Sequence, residues 1–425
     1  MKPTNRPCPG VLAALLIVFL CPASALHAGV YEGSVIDART RRPIAGAIVT
    51  LANTTVQTRR DGSFRIEGEG ASVGVRAHGY SRHDGVVPPS PADRIEVRLW
   101  HLSPRAVYLS LSAMGNPELR EAVARLPGAT RVNSLVLDVK DDMGDLALPT
   151  PGDGVARGPD RSREFKNLLD RFRREKLYTI ARIAVFKDER LARARPELAL
   201  RAEDGSVVLD NDGKAWTDPR HRAIWDYNIA FAVEAARRGF DEIQFDFVRF
   251  PSVTAAPQLS ADTRRAAIRG FLAQARAALV PYNVFVAADV FGYASWDPGD
   301  NNIGQKLEDI AAEVDYVCLM LYPSSFKRGL PTARQPLNRA DRIVSLSLRK
   351  AQRRTGLPAV RFRPWLQAFP DYNFDRRIFG QREIGAQVRA AERFGSGGWM
   401  LWNLHSLYIA RDLPARIVGA RQAAR

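Results

Sequence analysis

Two aspartates in strand-like runs carry the chemistry that this chain could do. In GFDEIQFDFVRFPS, residues 239–252, Ile243, Phe245 and Phe247 alternate with Gln244, Asp246 and Val248, the period-2 pattern of a strand that Pro251 ends. A second run, VFVAADVFGY, places Asp289 late in another strand. An acid so far along an apolar strand needs a partner or a task, because burying an unpaired carboxylate is costly. One simple role is a structural ion pair between Asp246 and Arg249 at the strand end. The other is glycoside hydrolysis, in which one carboxylic acid protonates the departing oxygen and a second carboxylate attacks the sugar or activates water.

Elements must hold such a pair together. From residue 105 onward, strand-like and helix-like segments alternate eight times. The strands are expected at 106–113, 134–140, 178–186, 242–250, 284–291, 316–322, 361–369 and 398–403, with amphipathic segments after each, the last at 407–418. Eight such units in about 315 residues predict an α/β fold of the (β/α)8 TIM-barrel type, which carries its chemistry at the C-terminal ends of its strands. Reading those ends gives Asp138, Lys140, Asp141, Asp142, Arg182, Asp246, Arg249, Asp289, Tyr322, Trp365, Gln367, Trp402 and Asn403, with Trp296 in the loop after the fifth strand. Asp246 and Asp289 are the expected catalytic pair. Asp138, Lys140, Arg182, Arg249, Gln367 and Asn403 are expected to bind or tune substrate, while Trp296, Tyr322, Trp365 and Trp402 could stack on sugar rings. Alternatively, Asp138, Asp141, Asp142 and Asp246 could hold a divalent metal through oxygen. Asp241, Glu242 and Asp315 begin strands and belong to the opposite, structural end. The polar stretch 199–219 reads as a hairpin-like excursion near the active rim.

Residues 29–102 read as a separate all-β sandwich, with short alternating runs divided by Arg42-Pro43, Asp61-Gly62 and Gly79-Tyr80. Gly33, Val35, Asp37, Thr40, Pro43, Gly46-Ala47, Val49, Leu51, Asp61-Gly62, Phe64 and Gly79-Tyr80 resemble the carboxypeptidase regulatory-like domain, which implies a seven-stranded prealbumin-like sandwich without catalytic residues.

The first 28 residues form the remaining segment. Lys2 and Arg6 precede an apolar run at 11–20, and Ala23-Ser24-Ala25 offers an A-x-A cleavage site, so residues 1–28 read as an export signal that directs the protein outside the cell or to the periplasm. The apolar run is about half the roughly 20 residues that a membrane span requires, and Leu20 before Cys21 argues against a lipoprotein. Of three cysteines, only Cys318 lies beyond that leader, where it reads as a small buried hydrophobe. The formal net charge of +16 is dispersed over helix-like segments. It suits contact with an anionic envelope polymer, and no basic run interleaved with aromatics points to nucleic acid. Metalloprotease, serine-hydrolase and nucleotide-binding motifs are absent from the sequence.

Four stretches of the large domain carry a further resemblance: VNSLVLDVKDDMGDLALP, IARIAVFKDERLARARPELAL, WTDPRHRAIWDYNIAFAVEAARRGFDEIQFDFVRFP and AADVFGY are similar to the putative glycosyl hydrolase domain family, distantly related to alpha-amylase-like barrels. The resemblance implies a carbohydrate-active enzyme over 105–418, working without a cofactor, in which Asp246 matches the fourth-strand nucleophile. The chain departs from the amylase pattern at Asp289, where a Glu is usual, and at Gln244, where that pattern has an Arg. Two further readings stand beside hydrolysis: a non-catalytic glycan-binding envelope protein, and a metal-assisted carbohydrate esterase.

Overall fold

Alternation alone decides which way each residue of the large domain faces. In the computed structural model, which describes residues 27–88, 90, 93–148, 155 and 157–416, eight parallel strands close into a barrel. They are β8 (Arg105–Leu109), β9 (Ser134–Lys140), β10 (Tyr178–Ala184), β11 (Glu242–Asp246), β12 (Phe285–Phe291), β13 (Tyr316–Met320), β14 (Trp365–Gln367) and β15 (Trp399–Trp402). β9, β10 and β11 are buried along their whole length, as strands covered on both faces must be. Ile243 and Phe245 point outward and join the core shared with the helices, whereas Glu242, Gln244 and Asp246 face the barrel interior.

Nine helices surround the strands among the described residues: α1 (Leu111–Gly115), α2 (Pro117–Ala129), α3 (Ser162–Arg174), α4 (Glu189–Ala194), α5 (Arg222–Arg237), α6 (Ala261–Leu279), α7 (Leu307–Glu313), α8 (Ala340–Thr355) and α9 (Gln381–Phe394). Each begins or ends for a local reason. The Asn116 side chain accepts from the N–H groups of Glu118 and Leu119 to start α2, and Ser260 accepts from Thr263 to start α6. Gly356 and Gly395 end α8 and α9 in the left-handed conformation that only glycine adopts without strain. α3 shows the packing logic: Phe165, Leu168, Leu169 and Phe172 recur at helical spacing and are buried, each contributing about 1.5–3 kcal/mol. Among the described residues no helix follows β15. Of the segment expected to be helical at 407–418, the described part, 407–416, holds only a three-residue 3-10 turn, Ala410–Asp412, because Leu407 and Ile409 stay exposed and give it no apolar face to bury.

Seven strands build the N-terminal domain: β1 (His27–Asp37), β2 (Ile48–Leu51), β3 (Thr54–Gln57), β4 (Ser63–Gly70), β5 (Ser72–Arg76), β6 (His83–Val86) and β7 (Ile95–Leu99). They form two sheets, ordered β4-β1-β7 and β3-β2-β5-β6, around Tyr31, Val35, Val49, Phe64, Val75 and Val97. β3 and β6 are the two strands without a sequence signal. Both are sheet edges with exposed side chains, so neither needs the apolar alternation that marks the others. Of the segment expected to be an export signal, 1–28, residues 1–26 lie outside the described residues, as do residues 89, 91 and 92 of the proline-rich stretch after β6.

The sandwich docks on the end of the barrel where strands begin. Arg82 Nε lies 3.4 Å from Asp241 Oδ1, and Asn283 Nδ2 donates to His83 O and Asp84 Oδ1 at 3.0 and 2.9 Å. Asp315, buried just before β13, faces Arg76 Nε at 3.9 Å and His78 Nε2 at 3.6 Å. Burial opposes its ionisation, but His78 and Arg76 outweigh burial and hold its carboxyl well below the usual range. Asp315→Ala should therefore cost about 3–5 kcal/mol, because it strands a buried arginine. A depressed carboxylate stabilises the fold above its unfolded pKa and stops doing so as pH falls through the folded value. The loss measured by thermal melting should thus be full at pH 7 and should shrink only in strong acid.

Candidate active site

Asp246 closes β11, and the chain breaks its regular conformation immediately after it. Phe247 adopts φ +48°, a conformation that costs a non-glycine residue about 1–3 kcal/mol and that collects at functional sites. The turn aims the Phe247 N–H at Asp246 Oδ1, 2.6 Å away. Arg182 from β10 reaches Asp246 Oδ2 with Nε at 3.0 Å and Nη2 at 2.6 Å. Its Nη1 donates to Asp138 Oδ1 at 2.6 Å, and Tyr108 OH donates to Asp138 Oδ2 at 2.5 Å. One buried guanidinium thus serves two buried carboxylates. Burial works against its charge, but Asp138 and Asp246 raise its pKa well above the ordinary value. The alternative ion pair with Arg249 does not form: Asp246 takes its cation from the neighbouring strand.

The second carboxyl has the opposite surroundings. Phe245 pairs with Ala288, so one step further Asp246 and Asp289 stand side by side on adjacent strands, both facing inward. Trp365 Nε1 donates to Asp289 Oδ1 at 2.8 Å, while Oδ2 is buried without a partner. Burial, and next the Asp246 charge, push the Asp289 pKa well above that of an ordinary carboxyl and so favour its protonated form. Two aligned carboxyls, one paired with a cation and the other pushed toward its acid form, can supply an acid and a nucleophile or base.

Rings wall the site. Trp402 stacks on Tyr108 with centroids 4.1 Å apart, and Trp365 meets Trp402 edge-on at 5.4 Å. Arg182 lies 5.0 Å from the Trp402 ring and 5.4 Å from that of Tyr108. From the half-buried Tyr322, a chain of rings leads outward: Phe369 sits 5.4 Å away, and Tyr372, stacked on Phe369 at 6.1 Å, is 47% exposed. Asp371 fixes that loop by accepting backbone N–H groups from Asn373, Phe374, Asp375 and Arg376. Tyr108, Phe247, Phe369 and Tyr372 escaped the sequence reading. Tyr108 was the most accessible of these, since its parity with Ala106 within the first strand already aims it inward.

Other expected site residues lie elsewhere. Between Arg182 and Ile183 the β9–β10 register shifts, and Lys140 leaves the interior: its Nζ binds Asp188 Oδ2 at 2.8 Å and lies 5.7 Å from the Tyr227 ring of α5. Trp296 donates to Ser347 of α8 at 2.9 Å and packs in the outer core. Gln367 spends its side chain on Ser324 and Phe369 O, and Asn403 closes its own turn through Ala368 O, Leu407 O and His405 N. Arg249 flanks Asp246 on the rim, with its guanidinium 4.7 Å from the Trp216 ring and 4.6 Å from that of Phe291. Burial lowers its pKa to about 10 against the pull of Asp246 and Asp210, so it stays charged at neutral pH. The 199–219 excursion is present as antiparallel bridges Ala199 to Thr217, Arg201 to Val207 and Leu209 to Ala215, with Trp216 buried beneath it.

The protein's own cations and backbone occupy the acids considered for a metal. Arg182 takes Asp138 and Asp246, Lys187 lies 3.3 Å from Asp142, and Asp141 accepts from the backbone N–H groups of Met143 and Asp145. Among the described residues, no three His, Cys, Asp or Glu side chains gather as a metal site. Burial and the Asp138 charge lift Asp141 to about 7. A raised acid stabilises the fold while protonated and ceases to as pH rises through its folded pKa. Asp141→Asn, which keeps the acceptor oxygen, should therefore melt higher than the parent above pH 7, gain less at pH 5 and match it below about pH 4.

A closed (β/α)8 barrel with two aligned carboxyls, Asp246 and Asp289, at its C-terminal mouth has the architecture of a glycosidase-type enzyme. The model of the family described as putative glycosyl hydrolase domain matches residues 106–408, and the chain belongs to that family. No curated protein is similar to it. Among solved structures, a hypothetical protein from Ruminiclostridium thermocellum is 31% identical over 43% of this chain and 97% of its own, with a TM-score of 0.36. The PgaB (BpsB) glycoside hydrolase domain of Bordetella bronchiseptica is 15% identical, with TM-score 0.54, 72% of this chain and 95% of that one. A GH18 chitinase from Cycas revoluta in complex with (GlcNAc)4 is 12% identical, with TM-score 0.46, 71% of this chain and 95% of that one.

Proposed function

We propose that the barrel hydrolyses glycosidic bonds of a polysaccharide, with Asp246 as nucleophile and Asp289 as acid and then base. The observation that carries this reading is the unlike setting of two aligned carboxyls: Asp246 is tied to Arg182, while Asp289 forms no ion pair among the described residues, leaves Oδ2 buried and unpartnered, and is pushed toward its acid form. In the first step Asp289 gives its proton to the departing oxygen while the Asp246 carboxylate bonds to the anomeric carbon. In the second step Asp289 takes a proton from water, whose oxygen displaces Asp246 and frees the sugar. Adjacent strands lie about 4.8 Å apart, which favours the short carboxyl separation of retaining enzymes, about 5–5.5 Å, over the wider inverting gap. Proton NMR of the first-formed product should show the anomeric configuration of the substrate. Inverted product would reassign Asp246 as the base that activates water.

The row Tyr322, Phe369 and Tyr372 supports a chain-like substrate leaving the site along the β14 loop. Loss of one stacking platform costs about 0.5–1.5 kcal/mol. Tyr372→Ala should accordingly raise KM for long oligosaccharides by about 2- to 10-fold and leave the shortest cleavable substrate unaffected, as steady-state kinetics on a length series would show.

Action outside the cytoplasm belongs to the same proposal, on the strength of Lys2, Arg6, the 11–20 apolar run and Ala23-Ser24-Ala25. N-terminal sequencing of the exported protein should find the chain starting after residue 25 or 28. A full-length chain retained in the cytoplasm would refute it.

A further inference from the structure

On the far side of the barrel from the catalytic mouth, a cavity of about 700 Å³ opens between the two domains. His78 and His101 reach it from the N-terminal side, and Arg105, Arg131, Glu392 and Trp399 from the strand-start end of the barrel. Its charges do not balance. Glu392 accepts from Arg131 Nη2 at 2.7 Å, from Arg131 Nη1 at 3.3 Å and from Trp399 Nε1 at 3.2 Å. Arg105, half-buried at the start of β8, forms no ion pair or side-chain hydrogen bond among the described residues, and the Nε atoms of Arg105 and Arg131 are both buried without partners. His101 lies 3.1 Å from Asp37, and His78 lies 3.6 Å from Asp315, so those two acids are already engaged. Burial, and next the nearby Arg131 charge, make ionisation of Arg105 harder, with only Glu392 in its favour.

Two guanidiniums beside one carboxylate, which pairs with Arg131 alone, leave a positive charge that the protein does not answer. Carboxylate and phosphate groups answer it best, because a guanidinium fork binds them bidentately. The volume far exceeds that of one such group and lies within the range of small-molecule sites, about 300–1,000 Å³. We infer that this junction is a second binding site, separate from the catalytic mouth, for a saccharide-sized ligand carrying a carboxylate or phosphate group, with Arg105 as its anion anchor. The site needs both domains, since His78 and His101 close it from the sandwich side.

Calorimetric titration of the full chain with galacturonate, inorganic phosphate and glucose tests it. Galacturonate should bind, glucose should not, and phosphate should bind more weakly than galacturonate. Arg105→Gln should weaken galacturonate about tenfold or more, while Arg105→Lys, which keeps the charge, should retain part of the affinity. Arg105 has no partner to abandon, so both variants should melt with the parent. Asp246→Asn should bind galacturonate unchanged, which separates this site from the hydrolytic one. Galacturonate affinity equal in the parent and Arg105→Gln would overturn the inference. Phosphate binding as tight as galacturonate, lost in Arg105→Gln, would overturn the saccharide part and leave only an anion site.

Discussion

Asp246→Asn and Asp289→Asn should each lower kcat on a cleaved glycan by about 10²- to 10⁴-fold, the range for losing a positioned acid, base or nucleophile, while affecting stability in different ways. Burial pushes Asp289 toward its neutral form, and its amide keeps the shape and the acceptor for Trp365 Nε1. Its pKa is raised, so its contribution to stability is present while it holds the proton and disappears as pH climbs through the folded value. Asp289→Asn should consequently melt with the parent below about pH 4, where the unfolded carboxyl is protonated too, and above it at neutral pH. Asp246 is a paired carboxylate, and its amide turns a twofold contact with Arg182 into a neutral one. Asp246→Asn should therefore melt lower than the parent at neutral pH. Equal melting losses for the two variants would mean that both carboxyls are ionised and would remove the acid from the proposed pair.

Arg182→Met carries the largest expected cost to the fold. The guanidinium is 2% exposed and holds Asp138 and Asp246 together from β10. Its removal strands buried carboxylates, at about 3–5 kcal/mol. Denaturant titration should show this loss at pH 7 and a smaller one at pH 4, where the stranded acids protonate. Adding Asp138→Asn to Arg182→Met should restore part of the stability, because one of the two orphaned charges is then gone. If Arg182→Met unfolds at the parental midpoint, the network is not what holds Asp138 and Asp246 in the barrel.

Much of this was legible because a closed barrel obeys a parity rule. Period-2 spacing sets Asp246 on the face opposite Ile243 and Phe245, and eight repeats gather the strand ends, with Asp246 and Asp289, at one C-terminal mouth. Asp241, Glu242 and Asp315 fell on the opposite end for the same reason, and they hold the sandwich or the barrel floor, where Arg363 pairs with Glu242. What parity could not carry was any local break in it. The shift beside Arg182 sends Lys140 out to Asp188, although its number promises an inward side chain. Asp246 and Arg249 are three apart, which suggested a pair, but the left-handed turn at Phe247 separates them and leaves Arg249 among rings. Loop residues such as Trp296 and Tyr372 have no period at all. Their partners, Ser347 and Phe369, are set by tertiary packing.

The most direct test is a glycan-library screen of the purified protein beside Asp246→Asn and Asp289→Asn, with product release as the readout. Release by the parent from at least one polysaccharide, lost in both variants, is the expected result. Release that continues unchanged in Asp246→Asn, or binding of a glycan without product from any of the three, would contradict catalysis by this pair and leave the barrel a glycan receptor.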